Sequence, residues 1–575
     1  MDIFALSIVA SVAVFIAVGM YAGRSVKRID DYFVAGRRAP TLLIVGTLVA
    51  SVLSTSIFLG EAGFTYDGQL GPYILMPGVA VIGYVYGAIL FGTYLRRSRA
   101  PTVAAFFGDR FNSHRVQQAA GFTIILGLGG YLVVVTQGAA ILLSELTDLE
   151  YFQSIVLAWL SYTLFTMYSG SKGVILTDTI MFLLFCGATI FFVLYIVDEM
   201  GGVARGIEDL TKVNSKAGIA SWHGIVGEGT EWPKPRDYLI WALIVDMSWG
   251  FVYAVGPWQS SRHLMAKDEH VVIRAAIYAC IAVALLQILI YGAGGLINNA
   301  NPNISPSETV IIWAAQNLVP SVIGALLMAG IMAAALSSAS TFLSLVGFSI
   351  SNDIIQRENE LTLTSSRIAM LVTGVAVLAL CFIFPPNVFW LMMFIGTVFA
   401  SSWGPVGFMS VWSKTITADA AFWGIMVGFF GNVIPAALEY IDLISLPSYF
   451  NPALIGAVLS LLVILMISKR GTVTLEEKIY RENLHQAPEE DKDIKKTKKT
   501  LRAPGFLLLY GCLMPILLIK YYVAPYQAGT GQLLPDGSVN LLAGESIMAM
   551  LTAPVYIVLG LIVAKVVWNR YKPKI

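Results

Sequence analysis

Gly46-Thr-Leu-Val-Ala-Ser-Val-Leu-Ser-Thr-Ser-Ile-Phe-Leu-Gly60 is the stretch of this chain on which its reading turns. It is apolar from end to end, yet the hydroxyls of Ser51, Ser54, Thr55 and Ser56 fall in its middle. Extended to residues 41–62, the run reaches the roughly 20 residues that a helix needs to cross a hydrocarbon core of ~30 Å. Comparable runs recur on both sides of it, at 3–22, 72–95, 118–143, 151–168, 174–198, 238–258, 271–296, 321–350, 368–385, 387–411, 418–438, 452–468, 505–523 and 545–566. The pattern predicts an all-α membrane protein of about fifteen transmembrane helices.

Composition agrees with this reading. Hydrophobic residues make up 57% of the 575 and charged residues 13%, about half the usual share for a soluble domain. The formal net charge of +1 argues against a nucleic-acid partner. Cys186, Cys280, Cys381 and Cys512 each sit inside an apolar run, which suggests neither a disulfide framework nor a metal cluster. The five histidines (His114, His223, His263, His270, His485) show no catalytic or metal-ligand spacing, so no enzyme is expected. The first run lacks a basic leader and a small-residue cleavage site, and reads as a retained helix.

Lysine and arginine set the orientation. Arg24, Lys27, Arg28, Arg37 and Arg38 follow the first run, and Arg96, Arg97, Arg99, Arg110 and Arg115 follow the third. Arg262 and Lys267 count with the same side, whereas loops 297–320 and 439–451 have no basic residue. Lys495, Lys496, Lys498 and Lys499 crowd the 469–504 loop, and Arg570, Lys572 and Lys574 close the chain. The alternation places the N-terminus outside and the C-terminus inside. The basic loop reads as a partly helical linker whose charge is a solvated cytoplasmic face.

Polar groups at membrane depth point to function. A second hydroxyl-rich stretch is Ala333-Ala-Ala-Leu-Ser-Ser-Ala-Ser-Thr341, and Asp178 lies in Leu-Thr-Asp-Thr-Ile. Small hydroxyl residues also serve simply to let helices approach, and Asp178 has capping or snorkelling as its plainer roles. Taken together, hydroxyls, freed carbonyls and a carboxylate are the hard oxygen ligands that a small alkali cation requires. In Asp246-Met-Ser-Trp-Gly-Phe-Val-Tyr-Ala-Val-Gly-Pro-Trp258, Gly256 and Pro257 are set to interrupt the helix. Ser54–Ser56 offers a matching interruption in the earlier span. Breaks at corresponding positions of two halves mark transporter binding sites. Five spans on either side (2–6 and 7–11) would form repeats of opposite topology.

At these residues the chain resembles the sodium:solute symporter family, whose members have the LeuT-type fold. Asp30-Asp-Tyr-Phe-Val-Ala-Gly-Arg37 is similar to the signature of the family's first internal loop, and Pro101-Thr-Val-Ala-Ala-Phe-Phe-Gly-Asp-Arg110 to its next one. Gly173-Val-Ile-Leu-Thr-Asp178 resembles a stretch ending in Trp-Thr-Asp, with leucine for tryptophan. Gly404-Pro405 and Trp412-Ser-Lys414, followed by Thr417 to Gly428, complete the set. The resemblance implies a sodium site built from the carbonyls of Ala50, Leu53 and Ala334 and the hydroxyls of Ser337 and Ser338. A second sodium site, found in some members, maps onto Asp178, Ser340 and Thr341, with Ser337 shared. Gly256-Pro-Trp-Gln-Ser-Ser-Arg262 is closer to the Pro-x-x-x-x-Arg pattern of the proline, pantothenate and acetate branches than to the sugar branch, although Val52 stands where the proline branch has aspartate.

These observations and the resemblance predict sodium-coupled symport by alternating access, in the plasma membrane, with a bacterial inner membrane expected. Sodium is the coupling ion and no other cofactor is expected; the partners are sodium, a small solute and the bilayer. The solute leans to a carboxylate-bearing class (a monocarboxylate, amino acid or pantothenate-like molecule), with a sugar or polyol as the alternative. Ser54, Ser56, Tyr131, Gln137, Trp249 and Tyr253 are candidate pocket residues. A channel or a transport-dead sensor are the rivals from other classes. The expected organisation is an N-terminal helix and loop (1–40), a first five-helix repeat (41–198), an external loop (199–237) and a second repeat (238–411). Peripheral helices (412–468), the basic linker (469–504) and two additional helices with a tail (505–575) follow.

Overall fold

The computed structural model describes residues 2–355 and 363–572. Among them are helices and connecting segments but no strand, only an isolated bridge between Ala39 and Ala266. Among the described residues, eleven helices are long and apolar enough to cross a membrane.

The chain begins with α1 (Ile3–Gly23) and α2 (Thr41–Ala50). A break at 51–55 leads into α3 (Ser56–Leu75), which a turn at 76–79 joins to α4 (Ala80–Ser98) at a 52° bend. The expected loop between the second and third spans, at 63–71, is therefore helix. Thr65 and Gln69 made this stretch read as a loop in sequence, but both turn inward and, like Glu61 before them, are buried.

Next come α5 (His114–Leu146) and α6 (Tyr151–Glu199). At about 1.5 Å per residue α6 would span roughly 70 Å, more than twice a hydrocarbon core. It is interrupted at Gly170 (φ 54°, ψ −153°), between the two runs read there as separate spans. Only glycine fits: a Cβ at this position would lie 2.5 Å from the Tyr32 ring. Tyr32 in turn donates its hydroxyl to the Met167 carbonyl at 2.7 Å, tying the loop after α1 to the kink.

In the second half, α7 (Pro235–Val255) ends at Gly256, and α8 (Pro257–Met265) restarts with proline at its first position. There the missing N–H costs nothing. Then follow α9 (Glu269–Leu296), α10 (Ser321–Phe348), α11 (Leu363–Ile383) and α12 (Val388–Trp412). Beyond them lie α13 (Ala418–Tyr440), α14 (Pro452–Ser468), α15 (Pro504–Leu518) and α16 (Gly544–Tyr571).

The most apolar window of α10 is 83% buried, against 33% in α1, α13 and α16, so α10 is central and the others peripheral. It packs against α1, α5 and α6, while α2 is held between α6 and α9. Outer faces of peripheral helices expose Leu6, Val14, Leu461, Ile516 and Leu561, as lipid contact requires.

The basic linker is partly helical and its lysines face water as expected, but one side of it is docked. Lys495, Lys498 and Lys499 are exposed, but Thr497, Thr500 and Asp491 on the opposite side are buried. His270 on α9 bonds the Asp491 carbonyl at 2.8 Å and the Thr500 hydroxyl at 2.9 Å, and Arg274 donates to Thr500 at 2.8 Å. A positive stripe thus faces water while a threonine face docks.

The last two helices pack on each other, and α15 also touches α9. From them, Tyr510 and Tyr556 donate to the carbonyls of Pro77 and Gly78, at 3.3 and 2.8 Å, in the turn between α3 and α4.

Candidate functional site

The centre of the molecule is the gap between α2 and α3. A helix carbonyl is normally closed by the amide four residues on. For Ala50 that amide belongs to Ser54, which bonds the Val52 carbonyl instead at 2.8 Å. For Leu53 it belongs to Ile57, which bonds the Ser54 carbonyl at 3.1 Å. Both carbonyls are released from the backbone ladder. Ser338, from α10, donates its hydroxyl to the Ala50 carbonyl at 3.3 Å. Ala334 lies one turn earlier on the same helix face, and Ser337 is adjacent. Ala50, Leu53, Ala334, Ser337 and Ser338 are all essentially inaccessible. The Thr55 and Ser56 hydroxyls, also buried here, have no hydrogen-bond partner among the described residues. An unsatisfied buried hydroxyl costs about 1–3 kcal/mol.

A second cluster adjoins the first. Asp178, fully buried on α6, accepts the Ser337 hydroxyl at 2.6 Å and that of Thr47, and pairs with Arg262 Nη2 at 3.4 Å. The same guanidinium nitrogen bonds Thr341. Ser340 donates to the Ser337 carbonyl at 2.8 Å. Asp178 is therefore neither a cap nor a snorkelling carboxylate, because its hydroxyl and guanidinium partners are supplied by three other helices, α2, α8 and α10. Arg262, counted as a loop cation in the charge alternation, is 1% exposed. The break at Gly256 turns α8 inward, and every residue of α8 is buried. Thr47 was not singled out from sequence; its only signal was its place one turn before Ser51.

The candidate pocket residues divide. Trp249 and Tyr253 line a cavity of ≈ 80 Å³ bounded by α3, α4, α7, α9 and α12. Ser54, Ser56, Tyr131 and Gln137 do not. Ser54 accepts from the Ser56 amide at 3.2 Å, Tyr131 stacks on Phe342 with centroids 4.6 Å apart, and Gln137 donates to the Phe384 carbonyl at 2.8 Å. Cavity and break are nevertheless neighbours. The Tyr253 ring meets that of Tyr84 at 4.9 Å, and Tyr84 donates to the Leu48 carbonyl at 3.0 Å, just before the break. An aromatic pile covers the other end, where Phe64 stacks on Phe389 at 4.1 Å and Trp232 of the 199–237 segment meets Tyr238 at 4.8 Å.

Interrupted helices, carbonyls freed at the break and hydroxyls facing them form the kind of site that the motifs imply. The profile of the sodium:solute symporter family matches residues 32–428. This chain belongs to that family.

The chain is 24% identical over 486 residues to the sodium/pantothenate symporter of Escherichia coli, covering 81% of this chain and 96% of that one. It is 22% identical over 493 residues to the sodium/proline symporter of Salmonella typhimurium, covering 82% and 94%. The structure of a sodium-coupled sialic acid symporter in a substrate-bound outward-open state superposes with a TM-score of 0.68 at 20% identity, covering 82% of this chain and 99% of that one. A closed nucleobase-cation-symport-1 family transporter gives 0.51 at 12% identity, over 80% and 99%. These likenesses establish the LeuT-type fold in a multi-pass membrane protein of a sodium-coupled transport family. The α15–α16 pair lies outside the matched family region.

Proposed function

We propose that this protein is a secondary active transporter that couples inward movement of sodium to uptake of a small organic solute by alternating access. The observation that carries the reading is the bond from Ser338 to the released Ala50 carbonyl. It spans the α2 break and α10, where an ion held by both would lock two rigid units together. Sodium is assigned to Ala50, Leu53, Ala334, Ser337 and Ser338, and the solute to the region between this site and the aromatic-lined cavity. Helices α2–α6 and α7–α12, each opening on an interrupted helix, serve as the two inverted five-span repeats. With the kink in α6 dividing two crossings, about fifteen spans place the N-terminus outside and the C-terminus in the cytoplasm of a bacterial inner membrane.

A second sodium at Asp178, Ser340 and Thr341 requires Arg262 to leave its present partners, since its guanidinium now supplies the positive charge beside Asp178. The solute is assigned to the carboxylate-bearing class, in line with the Pro-x-x-x-x-Arg pattern after the α7 break.

The test is thermal unfolding of the purified full-length protein in sodium against potassium, with amino acids, monocarboxylates, vitamins and sugars added singly. A ligand that binds only the folded state raises the midpoint by mass action. Sodium is expected to raise it alone and to enhance one solute class. Absence of any sodium-specific shift overturns the proposal.

A further inference from the structure

The cavity lined by Trp249 and Tyr253 holds a feature that the sodium site does not use. Glu61 of α3 and Asp246 of α7 both line it, and Asp246 is near enough to repel a charge on Glu61. Glu61 is 7% exposed. Neither carboxylate has an ion-pair or hydrogen-bond partner among the described residues, and no basic side chain lines the cavity. Its walls are aromatic, with Tyr73 and Trp241 joining Trp249 and Tyr253. The Trp249 indole, also 7% exposed, has its Nε1–H unpartnered. Gly396 gives that ring its room, since a Cβ there would sit 2.4 Å away.

An isolated buried carboxylate costs several kcal/mol, and a facing pair costs more. The arrangement demands a positive occupant or protons. Carboxylates alone would serve an alkali ion as well; the aromatic walls are what distinguish this cavity. Indole and phenol faces around acidic groups attract alkylated ammonium, whose charge is diffuse and weakly hydrated. The volume of ≈ 80 Å³ fits a head group rather than a whole ligand, for which pockets run to about 300–1,000 Å³.

We propose that Glu61 and Asp246, within this aromatic cage, bind the ammonium end of the transported solute. The assignment rests on the symporter reading and narrows it: among carboxylate-bearing solutes it selects amino or ammonium carboxylates over plain monocarboxylates and pantothenate-like molecules, which carry no cation. Its carboxylate end then points towards the α2 break.

The experiment uses the full-length protein in detergent with sodium present, and reads tryptophan fluorescence and thermal shift. The probes are tetramethylammonium, choline, glycine betaine and the neutral choline isostere 3,3-dimethyl-1-butanol, with potassium chloride matching ionic strength. The expected result is saturable binding of at least one ammonium probe at least roughly tenfold tighter than the neutral isostere. Glu61→Gln/Asp246→Asn is expected to abolish that preference, and Trp249→Phe to weaken it, while the sodium-specific thermal shift stays as in the native protein. That shift shows the variants are folded and tests the symporter reading separately. Binding of ammonium and neutral probes alike, no binding by any ammonium probe, or undiminished preference in the doubly neutralised variant would overturn the assignment. The last result would mean that the two carboxylates are simply protonated in place.

Discussion

Ser338 reaches across from α10 to the carbonyl of Ala50 at 3.3 Å, and the amide that would otherwise close on that carbonyl is bonded to Val52. One side chain therefore spans the two bodies whose separation would open the site. Ser338→Ala removes the bridge and, on the proposed assignment, a hydroxyl ligand together. We expect the sodium concentration for half-maximal thermal shift to rise at least about tenfold. The sodium-free midpoint should fall modestly, matching about 1 kcal/mol for one buried hydrogen bond. Sodium titration of both proteins checks this, and an unchanged sodium response removes Ser338 from the site.

Asp178 and Arg262 form a fully enclosed pair. Arg262→Met strands a buried carboxylate and is expected to destabilise by about 3–5 kcal/mol. Adding Asp178→Asn should recover much of that loss, giving a double-mutant coupling well above the error of denaturant unfolding. Transport stoichiometry asks a separate question. If Asp178→Ala leaves sodium dependence and the number of ions per solute unchanged, no second sodium uses that carboxylate.

Gly170 adopts φ 54°, ψ −153°, a region that other residues enter at a cost of about 1–3 kcal/mol. Gly170→Ala adds overlap with Tyr32 and should lower the unfolding midpoint clearly. Gly129→Ala is the control, since a Cβ there meets nothing within 4 Å, and it should leave the midpoint unchanged or slightly raised. Equal midpoints for the two variants would contradict the account of the kink.

Thr500 holds the linker to α9 through His270 and Arg274. Thr500→Val should speed amide exchange across 489–502, with a local opening free energy lower by about 1–3 kcal/mol. Neutralising Lys495, Lys498 and Lys499 should leave exchange there nearly unchanged, because those side chains face water.

Both helix interruptions could be read in advance, for different reasons. At Gly256–Pro257 the backbone chemistry is explicit, whereas Ser54–Ser56 only offers hydroxyls able to replace ladder bonds. Apolar runs marked most spans because lipid imposes a length on them. The same measure failed where polar residues turn inward: Thr65 and Gln69 hid a helix that continues to Leu75. It failed again at Arg262, since charge counted along a chain carries no information about depth. Thr47 and Glu61 gave no signal because their importance comes from residues more than a hundred positions away. The threonine face of the linker was masked by lysines whose number suggested only solvent.

The bonds from Tyr510 and Tyr556 to the carbonyls of Pro77 and Gly78 give the α15–α16 pair a mechanical meaning. They hold the 52° elbow between α3 and α4. When α3 tilts, the pair must travel with that elbow or release it, so it sets the stiffness of the joint.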